Sequence, residues 1–456
     1  MGARLSEFAA FAHLWGTDEA RAVFDEQAVY QRWLDVLAAL AQAQAELGLV
    51  PAEAAATIAG HARAQRLDLA RLAGQTRDSG HSMVGLIAEL AHVLPAEAHA
   101  WVFYGATVQD VTDTATALAA RDVLALVWRD LRHVEAAVLG LAATHRDTVM
   151  LGRTHGQGGS PITFGLKAAS WADELRRCLQ RLCEAGPRIL TGQLGGSVGS
   201  LAFFPESGTA LRAAFCRRLG LADPGMSWLA ARDRPAELAH VLEGACAALA
   251  RIGNEVAQLQ RGEIGELAEP AGQATVGSIT MPHKRNPEAS EHLVTLHRLV
   301  AANAQIVREA AVGEHERDGR VWKAEWVALP ETCLLACAAA ATAAAVVDGL
   351  EVDPAAMRRN LAADGFAGAE AVLAELVPRL GTHTAQQRLH RALADGAAAG
   401  RGLVDAVGAD PHLSAHLAPD AVARLAADPD PGCAPQMVDW AVARGWRERA
   451  EDPQRL

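Results

Sequence analysis

An all-α chain is predicted by three features of the sequence. Aromatic residues make up only 5 % of the 456 residues while 50 % are hydrophobic, so alanine and leucine carry the core; that balance favours close-packed helices over sheet. Leu238, Leu242, Ala245, Leu249, Ile252, Val256 and Leu259 recur in steps of four and three, the seam of one helix packed on another. The longest uncharged run, Cys333 to Val347, is alanine-rich and too short to span a bilayer, so it reads as a buried helix of a bundle. The expected architecture is a central bundle of long helices flanked by two smaller helical domains, with boundaries at 1–100, 101–350 and 351–456.

Val29, Trp33, Leu37, Leu40 and Leu47 share one helical face closed by Gly48 and Pro51, which predicts a helix from about Phe24 to Leu47. Shorter helical pieces follow to about Leu94, and Gln75-Thr76-Arg77-Asp78-Ser79-Gly80-His81-Ser82 reads as a polar turn and cap between them. The segment Tyr104 to Thr114 opens a long helix with Thr107 or Asp110 as its N-cap. A helix N-terminus also gathers free N–H groups and positive potential, which suits a substrate carboxylate. Gly152 to Gly165 is dense in glycine and carries Pro161, so it is expected to be irregular before a helix resumes over Lys167 to Leu182. Gly192 to Ser200 is glycine-rich, but no strand–helix–strand pattern surrounds it and a dinucleotide fingerprint is not supported.

After the seam comes Gly277-Ser278-Ile279-Thr280-Met281-Pro282-His283-Lys284-Arg285-Asn286-Pro287, with Glu291 just beyond. Two prolines and so many polar groups exclude a helix or strand interior, leaving either a solvent loop or a functional one hinged at glycine. A helix from about Glu288 to Val307 follows. Glu314 to Trp326 reads as a charged helix end with i,i+4 pairs. A stop at Val347 to Leu350 and a new cap at Asp353-Pro354 mark the last boundary.

The formal charge of −12 argues against a nucleic-acid partner. Seven cysteines without a Cys-x-x-Cys spacing or a Cys/His cluster suit buried thiols in a reducing cytoplasm. Residues Met1 to Ala20 lack a signal-peptide pattern, and no membrane association is expected.

The pattern Gly277-Ser278-x-x-Met281-Pro282-x-Lys284-x-Asn286-Pro287 resembles the signature loop of the fumarase/aspartase superfamily, which includes adenylosuccinate lyase and carboxymuconate cycloisomerase. Gly105-Ala106-Thr107-Val108-Gln109-Asp110 resembles its first substrate-binding region, with Val108 where many members have serine. Thr154-His155-Gly156-Gln157 is similar to its Thr-His-x-Gln segment. The resemblance implies a homotetramer whose sites draw on several subunits, and a small dicarboxylate or tricarboxylate substrate. By position it makes Ser278 the base. Lys284 and Asn286 would grip a carboxylate, Thr107 would add a hydroxyl contact, and His155 paired with Glu291 would form the acid side. His81 becomes a secondary substrate contact, and Arg317 and Arg320 are either partners of a second carboxylate or members of surface ion pairs. No metal or organic cofactor is expected.

The shared chemistry is β-elimination through a carbanion drawn as an aci-carboxylate, or the related addition that forms a lactone. The expected activity is release of fumarate from an amino- or nitro-substituted succinate by C–N cleavage. The alternative is a carboxymuconate-type cycloisomerase, supported by the His315-Glu316-Arg317 and Glu325-Trp326 segments. A catalytically silent scaffold is weighed against by the intact Ser278, Lys284, Asn286, His155 and Glu291.

Overall fold

Five long helices form the centre of the molecule: Val108–Thr144, Phe164–Ile189, Asp233–Leu259, Glu288–Glu309 and Gly319–Asp348, here the first to fifth bundle helices. They are seen in a computed structural model that describes residues 4–272 and 277–454. The first packs on the second and fifth, the third on the second, fourth and fifth, and the fourth on the fifth. All seven residues of the Leu238–Leu259 seam are buried, at 2 % exposure or less. The helical fold expected from the sequence is therefore present.

Three apolar cores divide the chain. The bundle core contains Trp128, Trp171 and Phe164. A second joins the helices Glu26–Glu46 and Ser82–Leu90 to the start of the first bundle helix and to the helix Gly208–Leu219, so part of the middle of the sequence packs with its beginning. A third lies among helices between Ala369 and Ala427. The last helix, Ala434–Glu451, returns to the second bundle helix.

Several local expectations change in the folded chain. Gln75 to Ser79 is the end of a helix, Leu69–Ser79, which Gly80 stops in the left-handed conformation before His81 caps the next helix. The glycine-dense segment is a β-hairpin, Val149–Thr154 against Gln157–Thr163, and not an irregular run. A second pair of strands, Leu267–Ala268 and Glu351–Val352, ties the segment after the third helix to the end of the fifth. The uncharged Cys333–Val347 run belongs to a 30-residue helix that is long and apolar enough to cross a membrane, yet 61 % of its most apolar window is buried among its neighbours.

The bundle has two distinct ends. At one end Arg232, just before the third helix, pairs with Asp113 of the first and Glu325 of the fifth. At the other, the hairpin joins the first helix to the second, and Gln260 donates to the Arg285 carbonyl across the gap between the third and fourth. The first helix has 37 residues, so at 1.5 Å per residue the ends stand about 55 Å apart.

Candidate active site

The Arg232 end gathers the segment from Gly105 to Asp110. Thr107 is the N-cap of the first bundle helix, in extended conformation before Val108. Arg317, on the loop before the fifth helix, donates through Nη2 to Thr107 Oγ1 at 3.0 Å and to the Ser197 carbonyl at 3.1 Å, and through Nε to Gln109 Oε1 at 3.0 Å. Two edges of the guanidinium are thereby fixed. Its Nη1 has no partner among the described residues, which leaves the N–H groups of that one nitrogen free in an exposed mouth beside a helix N-terminus. That arrangement suits an incoming carboxylate.

Asp110 builds the floor of this mouth. Its carboxylate accepts from the backbone N–H of Thr107, Gly195 and Gly196 and from Gln193 Nε2, which clamps the glycine-rich loop onto the helix. Burial pushes its pKa from 3.8 up to about 6, against the pull of those four donors. Gln193 is fully buried; it also donates to Ser227 Oγ and accepts from Trp228 N. One turn deeper, Arg232 lies between Asp113, at 2.7 and 3.1 Å, and Glu325, at 2.9 and 2.5 Å. Burial raises the pKa of Glu325 while the hydrogen bonds and charge of Arg232 lower it. This triad locks the first, third and fifth helices to one another.

The opposite end carries the other expected residues. Ser278 Oγ accepts from Met281 N at 3.0 Å, an N–H that favours the deprotonated oxygen. Gly277 is required here by close approach, since a Cβ would meet the Lys284 carbonyl at 2.2 Å. Asn286 donates to the Gly277 carbonyl at 2.7 Å and to Glu288 at 3.3 Å, so in this conformation its amide staples the two ends of the loop rather than facing outward. Lys284 is exposed and its ammonium has no partner among the described residues, whereas its neighbour Arg285 is held by Glu351 and the Glu269 carbonyl. Glu291 lies exposed in the first turn of the fourth helix.

His155 and Gly156 are the two central residues of the hairpin turn, with φ of 52° and 74° between the paired Thr154 and Gln157. Both values are positive, as a type I′ turn requires. The His155 side chain is exposed at the tip, and no hydrogen bond or ion pair joins it to Glu291 among the described residues. The hairpin is anchored instead through Arg153, whose guanidinium bridges both oxygens of the buried Glu266 at 2.8 and 2.7 Å.

Thus the fold brings Thr107 and Arg317 together at one end and places Ser278, Lys284, Asn286, Glu291 and His155 at the other. His81 belongs to neither group: its Nδ1 accepts from Met83 N at 3.4 Å as a helix cap. Arg320 points its charge into local pairs with Asp318, at 2.7 Å, and Glu314, at 2.9 Å, and those hydrogen bonds hold Asp318 well below the usual carboxylate range. Gln109, Asp110, Gln193 and Arg232 hold this end together; in the sequence Gln109 stands only within the segment that carries the resemblance, Asp110 there and as an alternative N-cap, Gln193 only within a glycine-rich loop, and Arg232 has no reading. The signal available was the i,i+4 spacing of Gln109 and Asp113, which stacks two polar side chains on one face of an otherwise buried helix. Among the described residues no group of three or more His, Cys, Asp or Glu side chains is placed to hold a metal ion.

A family profile described as Lyase matches residues 15–303. The N-acetyl-S-(2-succino)cysteine lyase of Dickeya dadantii (strain 3937) is 39 % identical over 97 % of this chain and 98 % of its own length. The 3-carboxy-cis,cis-muconate cycloisomerase of Pseudomonas aeruginosa is 38 % identical over 94 % of this chain and 93 % of its own. Among solved structures, the 3-carboxy-cis,cis-muconate lactonizing enzyme from Pseudomonas putida superposes with a TM-score of 0.87 at 36 % identity, covering 96 % of this chain and 99 % of that one.

Proposed function

The chain belongs to the fumarase/aspartase superfamily of lyases, and on that premise we propose that it eliminates a thiol from an S-substituted succinate and releases fumarate. The observation that carries this reading is the Arg317 edge, fixed by Thr107, Gln109 and Ser197 beside a helix N-terminus. It grips the carboxylate next to the carbon that bears sulfur. Ser278, its oxygen steadied by Met281 N–H, removes a proton from the neighbouring methylene group, and Lys284 stabilises the aci-carboxylate as charge develops. The electron pair then forms the double bond and expels the thiolate from the adjacent carbon. His155, supported by Glu291, supplies the proton that the leaving group needs.

Sulfur is preferred because the Dickeya relative, matched over nearly the whole chain, is a thioether lyase by name. Chemistry agrees: a thiolate, with a solution pKa of about 8.5, departs with little acid assistance. Nitrogen, the leaving atom expected from the sequence, must leave protonated and so asks more of His155. A second reading, intramolecular lactone formation, is supported by the Pseudomonas relative and by the Trp322, Glu325 and Trp326 face below Arg317.

Because the two ends stand about 55 Å apart, one chain cannot close a site around one small molecule. The complete site therefore combines the Arg317 end of one copy with the Ser278 end of another, in a homotetramer. The fourth helix supports such assembly: besides its inner face of Leu293, Leu296, Val300 and Val307, it exposes Thr295, Leu299, Ala302 and Ile306 in steps of four, three and four. Seven free thiols suit a reducing compartment, and the cytoplasm is the proposed location. The deciding experiment is incubation with S-linked and N-linked succinates and with 3-carboxymuconate. Fumarate from the thioether supports the proposal; fumarate only from the N-linked compounds, or loss of the muconate diene alone, replaces it.

A further inference from the structure

The Arg317 mouth has an apolar flank. The Ser197 carbonyl that holds the guanidinium is followed by Val198, 56 % exposed, and the same loop runs on to Phe203, 60 % exposed. Residues 101–109 and 192–205, the two segments that meet here, include no charged side chain. A charged fork thus stands beside an uncharged, water-facing apolar surface.

Folding accounts for only part of that surface. Phe204 is 6 % exposed and belongs to the core built on the N-terminal helices, whereas its neighbour Phe203 turns outward. The two rings stand edge to face at 5.2 Å, and Tyr104 meets Phe203 at 5.1 Å and Phe204 at 5.4 Å. Such edge-to-face contacts hold the Phe203 ring in place without covering it. Gly105 seats the cluster, since a Cβ there would meet the Phe204 ring at 2.3 Å and the Phe203 ring at 3.0 Å. Gly105 lies two residues before Thr107, no more than about 7 Å along the chain, a distance that four or five bonds of about 1.5 Å span. The turn that delivers the ring is strained. Leu201 has a φ of 54°, while its N–H donates to the Gly195 carbonyl and its own carbonyl accepts from Phe204 N, both at 2.9 Å. A bulky residue rarely takes that conformation, and strain of this kind gathers at binding sites.

We propose that the exposed Phe203 face, with Tyr104 and Val198 beside it, receives the apolar body of the leaving thiol. The inference rests on the thioether reading above. When Arg317 holds the carboxylate next to the carbon bearing sulfur, the sulfur lies two bonds from the carboxylate carbon, and its substituent is the part of the substrate long enough to reach the ring. Covering that ring removes apolar surface from water on both partners. The enzyme therefore selects alkyl or aralkyl thiols over polar thiols of like acidity, and Phe203 is the residue that sets the preference.

The test gives the enzyme (benzylthio)succinate and (2-hydroxyethylthio)succinate in parallel and follows fumarate, with Phe203→Ser and Val198→Ser as variants. The wild type is expected to favour the benzyl compound by about tenfold or more in kcat/KM. Phe203→Ser shrinks that ratio by about three- to tenfold, chiefly through KM for the benzyl compound, and Val198→Ser shrinks it by about twofold. A ratio near one in the wild type, or one that Phe203→Ser leaves unchanged, overturns the subsite while the thioether reading stands. Sedimentation of Phe203→Ser is expected to match the wild type; smaller particles would assign the ring to a contact between copies and overturn the subsite. Cleavage of S-(2-succino)cysteine but of neither test compound overturns it as well, and cleavage of no thioether removes the thioether reading with it.

Discussion

His155 is held by its backbone, not by side-chain partners. Asn-Gly is the strongest sequence for a type I′ turn, so His155→Asn removes the imidazole while keeping the hairpin. We expect thermal stability to change by no more than about 0.5 kcal/mol and turnover to fall on the order of a hundredfold or more; retained turnover would take His155 out of the proton path. Asp110 makes a different prediction. Its folded pKa, about 6, lies above its ordinary 3.8, so its contribution to stability is fully present below about pH 4 and is lost as pH rises through about 6. A separation of about two pH units corresponds to roughly 3 kcal/mol. Urea unfolding of wild type and Asp110→Asn between pH 4 and 7 should show the wild type losing ground to the variant across that window. A constant difference would mean that the carboxyl titrates alike in both states. Little of this was legible in the sequence. Asp110 and Arg232 are ordinary residue types whose importance comes from partners 85 and 119 positions away, Gly195 and Asp113 respectively.

Elements were easier to read than the contacts between them. The Leu238–Leu259 seam is legible because a buried helix face repeats with a fixed period, and the Asp353-Pro354 start because capping is local. The hairpin was not, since glycine supplies no side-chain alternation, and the strands exist through their pairing with each other. Composition alone leaves the signature loop either a solvent loop or a functional one, and its resemblance to the family motif decides between them; its internal staple, Asn286 on the Gly277 carbonyl, is a matter of conformation. This loop carries its own predictions. Ser278→Ala should lower turnover about a hundredfold and leave affinity for fumarate nearly intact, because a base acts only along the proton-transfer coordinate. Lys284→Ala should damage both, since a carboxylate contact already exists before charge develops. Steady-state kinetics beside fumarate inhibition separate the two; near-normal turnover in Ser278→Ala moves the role of base to another residue. Gly277→Ala forces the Lys284 carbonyl aside and should impair turnover with little loss of global stability, which calorimetry can verify.

At the scale of the whole molecule, the separation of Thr107 and Arg317 from Ser278 and His155 is the feature with the widest reach. Arg317→Ala and Ser278→Ala chains, each inactive alone, should regain part of the wild-type activity when mixed under conditions that allow subunit exchange; no recovery argues for a site within one chain. Leu299→Glu with Ile306→Glu places charge on the exposed stripe of the fourth helix and should yield smaller, inactive particles of unchanged helicity, read by sedimentation and circular dichroism. The length of the first helix then acquires a meaning that folding does not supply. Seven residues inserted in step into all five bundle helices would leave the buried faces nearly in register, because a heptad almost closes two turns. Such a chain should still fold around an intact core. Yet in the proposed assembly each half-site would overshoot its counterpart by about 10 Å, and on that proposal the helix is a ruler cut to fit another copy of itself, tolerant of substitution and intolerant of insertion.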